Sequence, residues 1–320
     1  MVQALKMVRE AWINGGSGLM DFEREVEELH PDIFFVNEDG FTPDKQEFCA
    51  KLGIELVVSR RIPHVGLPTR STTSLRQECL IPFRLDLAGG WLDQPFVSKH
   101  YPGSVITISI EPDYDFNDRS GMSTSTRKKA IQLWQTDIPE GDPELLAKTL
   151  FSFENPPGTK YISGSQDSIG IVMPGVNKLD YQCEQYWPSE ITNNLDDSTL
   201  EFIQNHLWFI TLFPRDNSFD VLAGTIINPE NAKALADAAN DCWEAIQQKD
   251  LNGFGSAFTH SFEAQITMFP NMVNESILKQ IDEYKTMALG WKLSGAGGGG
   301  YLVLVSDKPV PNAIQIRIRR

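Results

Sequence analysis

Apolar and polar positions alternate in a way that predicts helices and short strands over the first part of the chain. Apolar residues recur at helical spacing over 2–12 and 45–52. Two short apolar runs, 32–36 and 54–58, are typical of buried parallel strands. The order strand, helix, strand predicts a βαβ unit within residues 1–76.

The pattern changes after Arg76, where longer helical stretches follow strand-like runs. The predicted strands cover 80–90, 104–110 and 301–306, and the predicted helices cover 126–134, 144–151, 231–269 and 275–288. Within the longest of these helices, the glycines at 253 and 255 predict a soft break. Helices followed by a glycine loop and a strand indicate α+β layers in this half of the chain.

Composition and charge narrow the classes of partner. The chain has 320 residues, 41% of them hydrophobic, and this indicates an ordered protein of two domains or one large one. The formal net charge of -15 argues against nucleic acid and anionic membrane surfaces as partners. The cysteines lie far apart, which predicts neither a zinc site nor a disulfide framework. Because no apolar run could cross a bilayer and no export signal is visible, we expect a cytoplasmic protein.

The glycine-rich run from Ser294 to Gly300 is the strongest chemical signal. The six small residues after the serine let the backbone approach a ligand closely and adopt positive φ repeatedly. Successive exposed amides of this kind form an anion-binding nest. A flexible linker is the alternative, but this run lies between a predicted helix and an apolar strand. The run therefore predicts a phosphate-binding region.

A second loop, 119–125, lies immediately before the basic start of a predicted helix at 127–129. Hydroxyls and amides at a helix N-terminus form an anion site, and a serine hydroxyl can also bind Mg²⁺. A plain serine or threonine N-cap is the alternative. Taken together with the glycine run, the loop is better explained as a second phosphate site.

Two further clusters contain carboxylates. Arg84, Asp86 and Asp93 surround a strand-to-glycine turn that suits a polyol, because carboxylates accept hydroxyl protons and arginine neutralises a developing charge. An exposed ion pair is the alternative there. Asp167 lies on a glycine turn at 164–168, where a carboxylate can act as a base or cap the next segment.

Three of these motifs occur in the order typical of one superfamily. The segments 84–93, 120–125 and 292–300 together resemble the GHMP kinases, which include galactokinase and mevalonate kinase. The resemblance extends over residues 80–320. Within the superfamily, the stretch Asp86–Trp91 is most similar to the heptose and fucose kinases.

The resemblance implies an α+β fold of two domains, preceded by a partial Rossmann-like α/β unit. Residues 77–190 would form a ribosomal-protein-like domain and 191–320 a ferredoxin-like domain, with ATP and a sugar between them. Residues 1–76 resemble the second half of a cytidylyltransferase-like nucleotidyltransferase through the segments 37–40 and 70–76. The other half of that domain, with its HxGH signature, is absent. Either the chain starts inside a longer protein that holds this N-terminal half, or the unit docks on the kinase.

The resemblance also implies roles for individual residues. Asp167 would be the general base on the sugar hydroxyl, and Arg84 would steady both the base and the transferring phosphoryl group. The residues implied in ATP binding are Ser120, Gly121, Met122, Ser123, Thr124, Gly295, Ala296, Gly297 and Gly298, those implied in substrate binding are Asp86, Gly90 and Asp93, and those implied in Mg²⁺ binding are Ser123 and Glu154.

The second motif departs from the family pattern, and this leaves two possible functions. It usually opens with Pro-x-Gly-Ser-Gly, whereas Asp118 and Arg119 replace the proline and the first glycine here. The first expected function is an ATP- and Mg²⁺-dependent sugar kinase that makes a sugar 1-phosphate for nucleotide-sugar synthesis. The alternative is a degenerate kinase that acts as a nucleotide- or sugar-binding or regulatory protein.

Overall fold

The structure is a computed structural model that describes residues 20–37, 40–59, 79–112, 122, 124–215 and 219–320. Contacts within the chain divide it into two compact units, Met1–Ser71 and Thr72–Arg320. The predicted helix at 2–12 and the segment 70–76, which carries part of the resemblance to nucleotidyltransferases, lie outside the described residues.

The first unit contains a βαβ arrangement. Its elements are α1 (Glu23–Leu29), β1 (Ile33–Asn37), α2 (Pro43–Leu52) and β2 (Glu55–Ser59). The two strands pair in parallel, with Ile33 opposite Glu55, which confirms the predicted unit. Thr42 caps α2 by accepting a hydrogen bond from the Lys45 amide, and Gly53 ends the helix at φ 71°. One sheet face packs its apolar residues inward, whereas Phe35 on the other face is 62% exposed.

The second unit contains two antiparallel sheets of four strands each. The elements of its first part are β3 (Phe83–Ala88), α3 (Pro95–Ser98), β4 (Gly103–Ile110), α4 (Thr124–Trp134), α5 (Pro143–Glu154), α6 (Ser165–Val172), β5 (Val176–Tyr181) and β6 (Glu190–Asn194). The strands of the first sheet lie in the order β3-β4-β5-β6. Every residue of β3 is buried, so the strand places polar side chains in the interior where it ends.

The second part of this unit supplies the other sheet and two long helices. Its elements are α7 (Asp197–His206), β7 (Leu207–Thr211), α8 (Pro229–Gln248), α9 (Leu251–Met268), a 3₁₀ turn (Pro270–Met272), α10 (Glu275–Tyr284), a second 3₁₀ turn (Lys285–Met287), β8 (Gly290–Leu293), β9 (Tyr301–Val305) and β10 (Ile314–Gln315). The strands lie in the order β10-β7-β9-β8. The glycine run therefore connects two adjacent antiparallel strands, β8 and β9.

One apolar cluster joins the two sheets through the long helices. It includes Leu85 of β3, Phe209 of β7, Cys242 of α8, Phe258 of α9 and Val303 of β9, all fully buried. Both sheets therefore share a core within a single unit. The domain boundary predicted at 190/191 falls at the first residues of β6, and it stays a prediction.

The long helical region does not break where its glycines predict. Lys249 ends α8 in the left-handed conformation at φ 55°, and Asp250 begins the next helix by capping the Gly253 amide. Gly253 and Gly255 lie inside α9. Gly255 is required there because a Cβ would come within 2.7 Å of the Leu289 carbonyl oxygen. The prediction of a break at 253–255 is therefore wrong, since a close approach of α9 to the start of β8 explains that glycine.

Within the described part of the chain, no helix combines the length and the apolar character needed to cross a membrane.

Candidate active site

A cavity of about 360 Å³ in the second unit brings together residues from distant parts of the sequence. It is lined by Arg84, Asp86, Gly90, Trp91, Asp93, Gln94, Thr124, Ser125, Ser163, Gly164, Gln166, Asp167, Arg215, Gly295 and Ala296. Three of the predicted motifs and the turn that contains Asp167 thus meet at one site.

The floor of the cavity is a buried charge cluster formed by Arg84 and Asp86 of β3 and Lys292 of β8. The Lys292 ammonium lies 2.8 Å from Oδ1 of Asp86 and donates to Oδ2 at 3.0 Å. Nη1 of Arg84 lies 4.0 Å from the same carboxylate. Burial lowers the pKa of Lys292, and the negative charge of Asp86 opposes that effect. The lysine thus donates a hydrogen bond to Oδ2 of Asp86 and lies in ion-pair contact with Oδ1, which accepts no hydrogen bond within the described residues.

Gly90 follows this strand at the point where the backbone turns. A Cβ at Gly90 would come within 2.6 Å of Oδ2 of Asp86, so only glycine leaves the carboxylate in place. The Gly90 carbonyl accepts a hydrogen bond from Nε2 of Gln265 at 3.1 Å. Of the predicted substrate residues, Asp86 and Gly90 therefore make contacts that hold the protein together.

Asp93 differs from Asp86 in its partners. Its Oδ1 accepts a hydrogen bond from Nε2 of Gln166 at 2.8 Å. Its Oδ2 is buried without a hydrogen-bond partner in the described part of the chain, and it lies so close to Gly164 that a Cβ there would overlap it. Burial raises the pKa of Asp93 to about 6, and the positive charge of Arg84 limits the rise. A buried acceptor without a partner is typical of a ligand-binding group.

Asp93 and Asp167 form the wall of the cavity beside Arg84, and Glu154 lies next to Asp167 outside the cavity lining. Asp167, in the first turn of α6, makes an ion pair with Nη2 of Arg84. The Thr126 hydroxyl is shared between the two acids, at 3.0 Å from Oε1 of Glu154 and 3.4 Å from Oδ2 of Asp167. Gly170 lets α6 approach β3, because a Cβ there would collide with the Arg84 side chain. The predicted base and the predicted metal ligand therefore lie together.

Asp167 and Glu154 together fit a Mg²⁺ ion by their donor chemistry. Oε2 of Glu154 is buried and has no hydrogen-bond partner among the described residues. Burial raises the pKa of Glu154, and the hydrogen bond from Thr126 opposes the rise. A cation would complete this environment, since Mg²⁺ prefers one or two carboxylates together with phosphate oxygens. The described residues contain no cluster of three or more acidic, histidine or cysteine side chains that could hold a metal without a substrate.

The second predicted loop is described only in part. Ser120, Gly121 and Ser123 lie outside the described residues. Met122 is 1% exposed and belongs to the apolar core, whereas Thr124 begins α4 and lines the cavity. The basic residue Arg127 does not reach the cavity, since it donates to the Ile81 carbonyl and lies over the Phe83 ring.

The glycine run divides into two parts. Gly295 and Ala296 line the cavity, while Gly297 and Gly298 are buried behind it. Gly295 and residues 297–300 have positive φ, which confirms the predicted backbone geometry. The Gly298 amide donates to the Met272 carbonyl and the Gly300 amide to the Phe213 carbonyl. Only the first half of the run is thus placed to contact a ligand through its backbone.

Several residues of the cavity are missed by sequence reasoning. Lys292 stands in the glycine motif, but its partner is 206 positions away in the chain. Gln166 lies in the turn at 164–168, but its residue type does not indicate a role there, and Arg215 belongs to no recognised motif. Trp91 has φ 88°, unusual for a bulky residue, and its ring stacks on Phe269 at 4.4 Å. The glycine that precedes it is the one signal of an irregular turn there.

Comparisons with solved structures agree on one fold. The chain superposes on the Streptococcus pneumoniae phosphomevalonate kinase with a TM-score of 0.51 and 13% identity, covering 71% of this chain and 90% of that one. It superposes on the Methanococcus jannaschii mevalonate kinase with a TM-score of 0.50 and 14% identity, covering 71% and 89%. The second unit therefore has the fold of the GHMP kinases, as the motifs predict.

A curated relative gives a sequence match. The L-fucokinase/L-fucose-1-P guanylyltransferase of Bacteroides fragilis is 29% identical over 164 residues, which is 48% of this chain. The match covers 17% of that relative's length. No family model matches the chain.

Proposed function

We propose that this chain is an ATP- and Mg²⁺-dependent kinase that phosphorylates a sugar hydroxyl. The observation that carries the proposal is the pairing of Asp167 with Arg84 beside Glu154, in a cavity that also contains the start of the glycine run. A carboxylate base, an arginine and a metal-binding acid are the parts that phosphoryl transfer requires.

The residues support a direct transfer. The acceptor hydroxyl oxygen would form a bond to the terminal phosphorus of ATP while the bond from that phosphorus to the ADP oxygen breaks. Asp167 would accept the hydroxyl proton, and Arg84 would hold the carboxylate in place and offset charge on the transferring group. A Mg²⁺ ion held by Glu154 would supply further charge neutralisation to the phosphates. Catalysis would then depend mainly on positioning.

The acceptor is proposed to be a neutral sugar similar to fucose or a heptose. Oδ2 of Asp93 and Oε1 of Gln166 are buried acceptors without partners in the described region, and sugar hydroxyls would satisfy both. The curated relative is an L-fucokinase/L-fucose-1-P guanylyltransferase, which supports the same class of sugar substrate. That relative's guanylyltransferase activity favours a sugar 1-phosphate as product and a place in nucleotide-sugar synthesis.

An alternative function is nucleotide or sugar binding without turnover. It is favoured by the use of the Gly298 amide inside the protein and by the replacement of the usual proline and glycine at Asp118 and Arg119. Such a protein would act in regulation or assembly. The partial α/β unit at the N-terminus is proposed to belong to a nucleotidyltransferase half, in either case in the cytoplasm.

Calorimetry with MgATP, followed by a coupled assay of ADP release over fucose, heptoses and hexoses, separates the two functions. A kinase binds MgATP and releases ADP with at least one sugar. Binding of MgATP without turnover on any sugar would support the alternative. Failure to bind MgATP would contradict the kinase function and the assignment of the two loops to phosphate binding.

A further inference from the structure

Arg215 lines the cavity and has no ion-pair partner among the described residues. The charged side chains that line the cavity in the described structure are Arg84, Asp86, Asp93, Asp167 and Arg215. Arg84 is paired with Asp167 and lies near Asp86, whose oxygens are also held by a lysine. No carboxylate of the described residues lies within ion-pair distance of Arg215.

The Arg215 side chain is held in place by contacts that do not neutralise it. Its Nε donates to the Gly297 carbonyl at 3.0 Å, and its guanidinium lies over the Phe219 ring at 4.9 Å from the centroid. A guanidinium has five N–H donors, and this contact uses one. Burial lowers the pKa of Arg215, and no acidic side chain among the described residues opposes the effect. The fold thus bears the cost of a partly desolvated cation.

The surroundings of Arg215 favour a phosphate group as the missing partner. The cavity also contains Gly295 and Ala296, whose backbone a ligand can approach closely, and the first residues of α4, Thr124 and Ser125. Phosphate oxygens accept several N–H and O–H donors at once, and an arginine fork matches them in a bidentate way.

We propose that Arg215 is a phosphate-binding residue of this cavity. The inference rests on the proposed function, since it adds an anion contact to that site. The phosphate has two sources of the same chemistry: the terminal phosphate of the nucleotide, or a phosphate already carried by the acceptor sugar. Because the same side chain bonds to Gly297, the bound phosphate would also fix the position of the glycine run.

The test compares Arg215→Gln and Arg215→Lys with a matched control. Gln keeps an N–H for Gly297 and removes the charge, while Lys keeps the charge without the fork. Arg319→Gln is the control, because Arg319 also donates to backbone carbonyls, those of Ile171 and Val172, and does not line the cavity. Calorimetry measures the affinity for pyrophosphate, MgATP, adenosine, a heptose and its 7-phosphate, whose 1-hydroxyl is free, and thermal unfolding measures stability.

Arg215→Gln should weaken pyrophosphate binding by roughly 10- to 100-fold and leave adenosine binding unchanged. Arg215→Lys should recover part of the loss, and the Arg319 control should change stability alone. A parallel loss for MgATP assigns the nucleotide as the source. A loss for the heptose 7-phosphate with unchanged affinity for the heptose and MgATP assigns the acceptor.

Unchanged affinity for pyrophosphate, MgATP and the heptose 7-phosphate in Arg215→Gln would overturn the proposal. So would an equal loss for adenosine and pyrophosphate, which would show that Arg215 acts only as an anchor of the glycine run. A wild-type protein that binds pyrophosphate through Arg215 but phosphorylates no sugar would contradict the kinase function and leave this inference standing. A wild-type protein that binds no phosphate compound would contradict both.

Discussion

Asp86 on the floor of the cavity and Asp93 on its wall are equally buried, but they differ in their partners. Asp86 on the floor is 2% exposed, and both of its oxygens lie within 3.0 Å of the Lys292 ammonium. Asp93 is 1% exposed and keeps one oxygen without a partner in the described structure. Burial alone therefore does not distinguish the two carboxylates, and neither does hydrogen bonding, since each has one oxygen without a hydrogen bond. The difference is the Lys292 ammonium, which makes an ion pair with Asp86. Changes on the floor should cost stability, and changes on the wall should cost activity.

The largest expected effect is on the wall, at Asp167. Asp167→Asn should lower turnover by about 10²–10⁴-fold with little change in MgATP affinity, because it removes the proton acceptor and keeps the shape. Steady-state kinetics and calorimetry measure the two quantities. Asp180→Asn is the matched control, a partly buried acid paired with Lys178 outside the cavity. Unchanged turnover in Asp167→Asn would remove the residue from the mechanism.

The next effect is on the floor, at Lys292. Lys292→Met should lower the free energy of unfolding by about 3–5 kcal/mol, because it leaves the buried charge of Asp86 without its cation. Adding Asp86→Asn should restore much of the loss. Urea unfolding at pH 7 measures both variants, with Lys178→Met as the control for a more exposed pair. A loss below about 1 kcal/mol in Lys292→Met would contradict the structural role of the floor.

The smallest effect concerns Asp93 and pH. Its pKa of about 6 in the folded protein exceeds the ordinary 3.8, so the folded state binds more protons between those pH values. Its contribution to the free energy of unfolding therefore falls as pH rises from about 4 to about 6, by ~3 kcal/mol in total. Asp93→Asn should flatten this part of the profile, raise stability at pH 7 and weaken sugar binding.

Urea unfolding from pH 4 to pH 7 and calorimetry with the accepted sugar check the Asp93 prediction, with Asp180→Asn again as the control. A variant that is less stable than the wild type at pH 7 would mean that Asp93 holds the fold as Asp86 does. The contrast between floor and wall would then fail at its most sensitive point.

The sequence predicts the motifs of the site better than the contacts between them. The glycine run and the turn after β3 can be recognised in the sequence, because positive φ and close approach of the backbone require glycine at those positions. The ion pair of Lys292 with Asp86 cannot be recognised in the sequence, because the two residues lie on different sheets and nothing in a single sequence indicates that they meet. Arg215 has no local signal for the same reason. The sequence does not predict the break after α8, because it occurs at Lys249. This residue adopts the left-handed conformation at the end of the helix, although that conformation usually favours glycine.

The close contact between Gly164 and Asp93 predicts which residues other natural sequences of this fold can have at these two positions. Gly164 has φ -69°, a conformation open to every residue, so backbone geometry does not require glycine there. Room for the Asp93 carboxylate does require it. A sequence variant that keeps the aspartate must therefore keep the glycine, and one that exchanges both has given up this acceptor site. If Asp93 binds the sugar as proposed, the two positions together offer a simple marker for sequences that keep the sugar site.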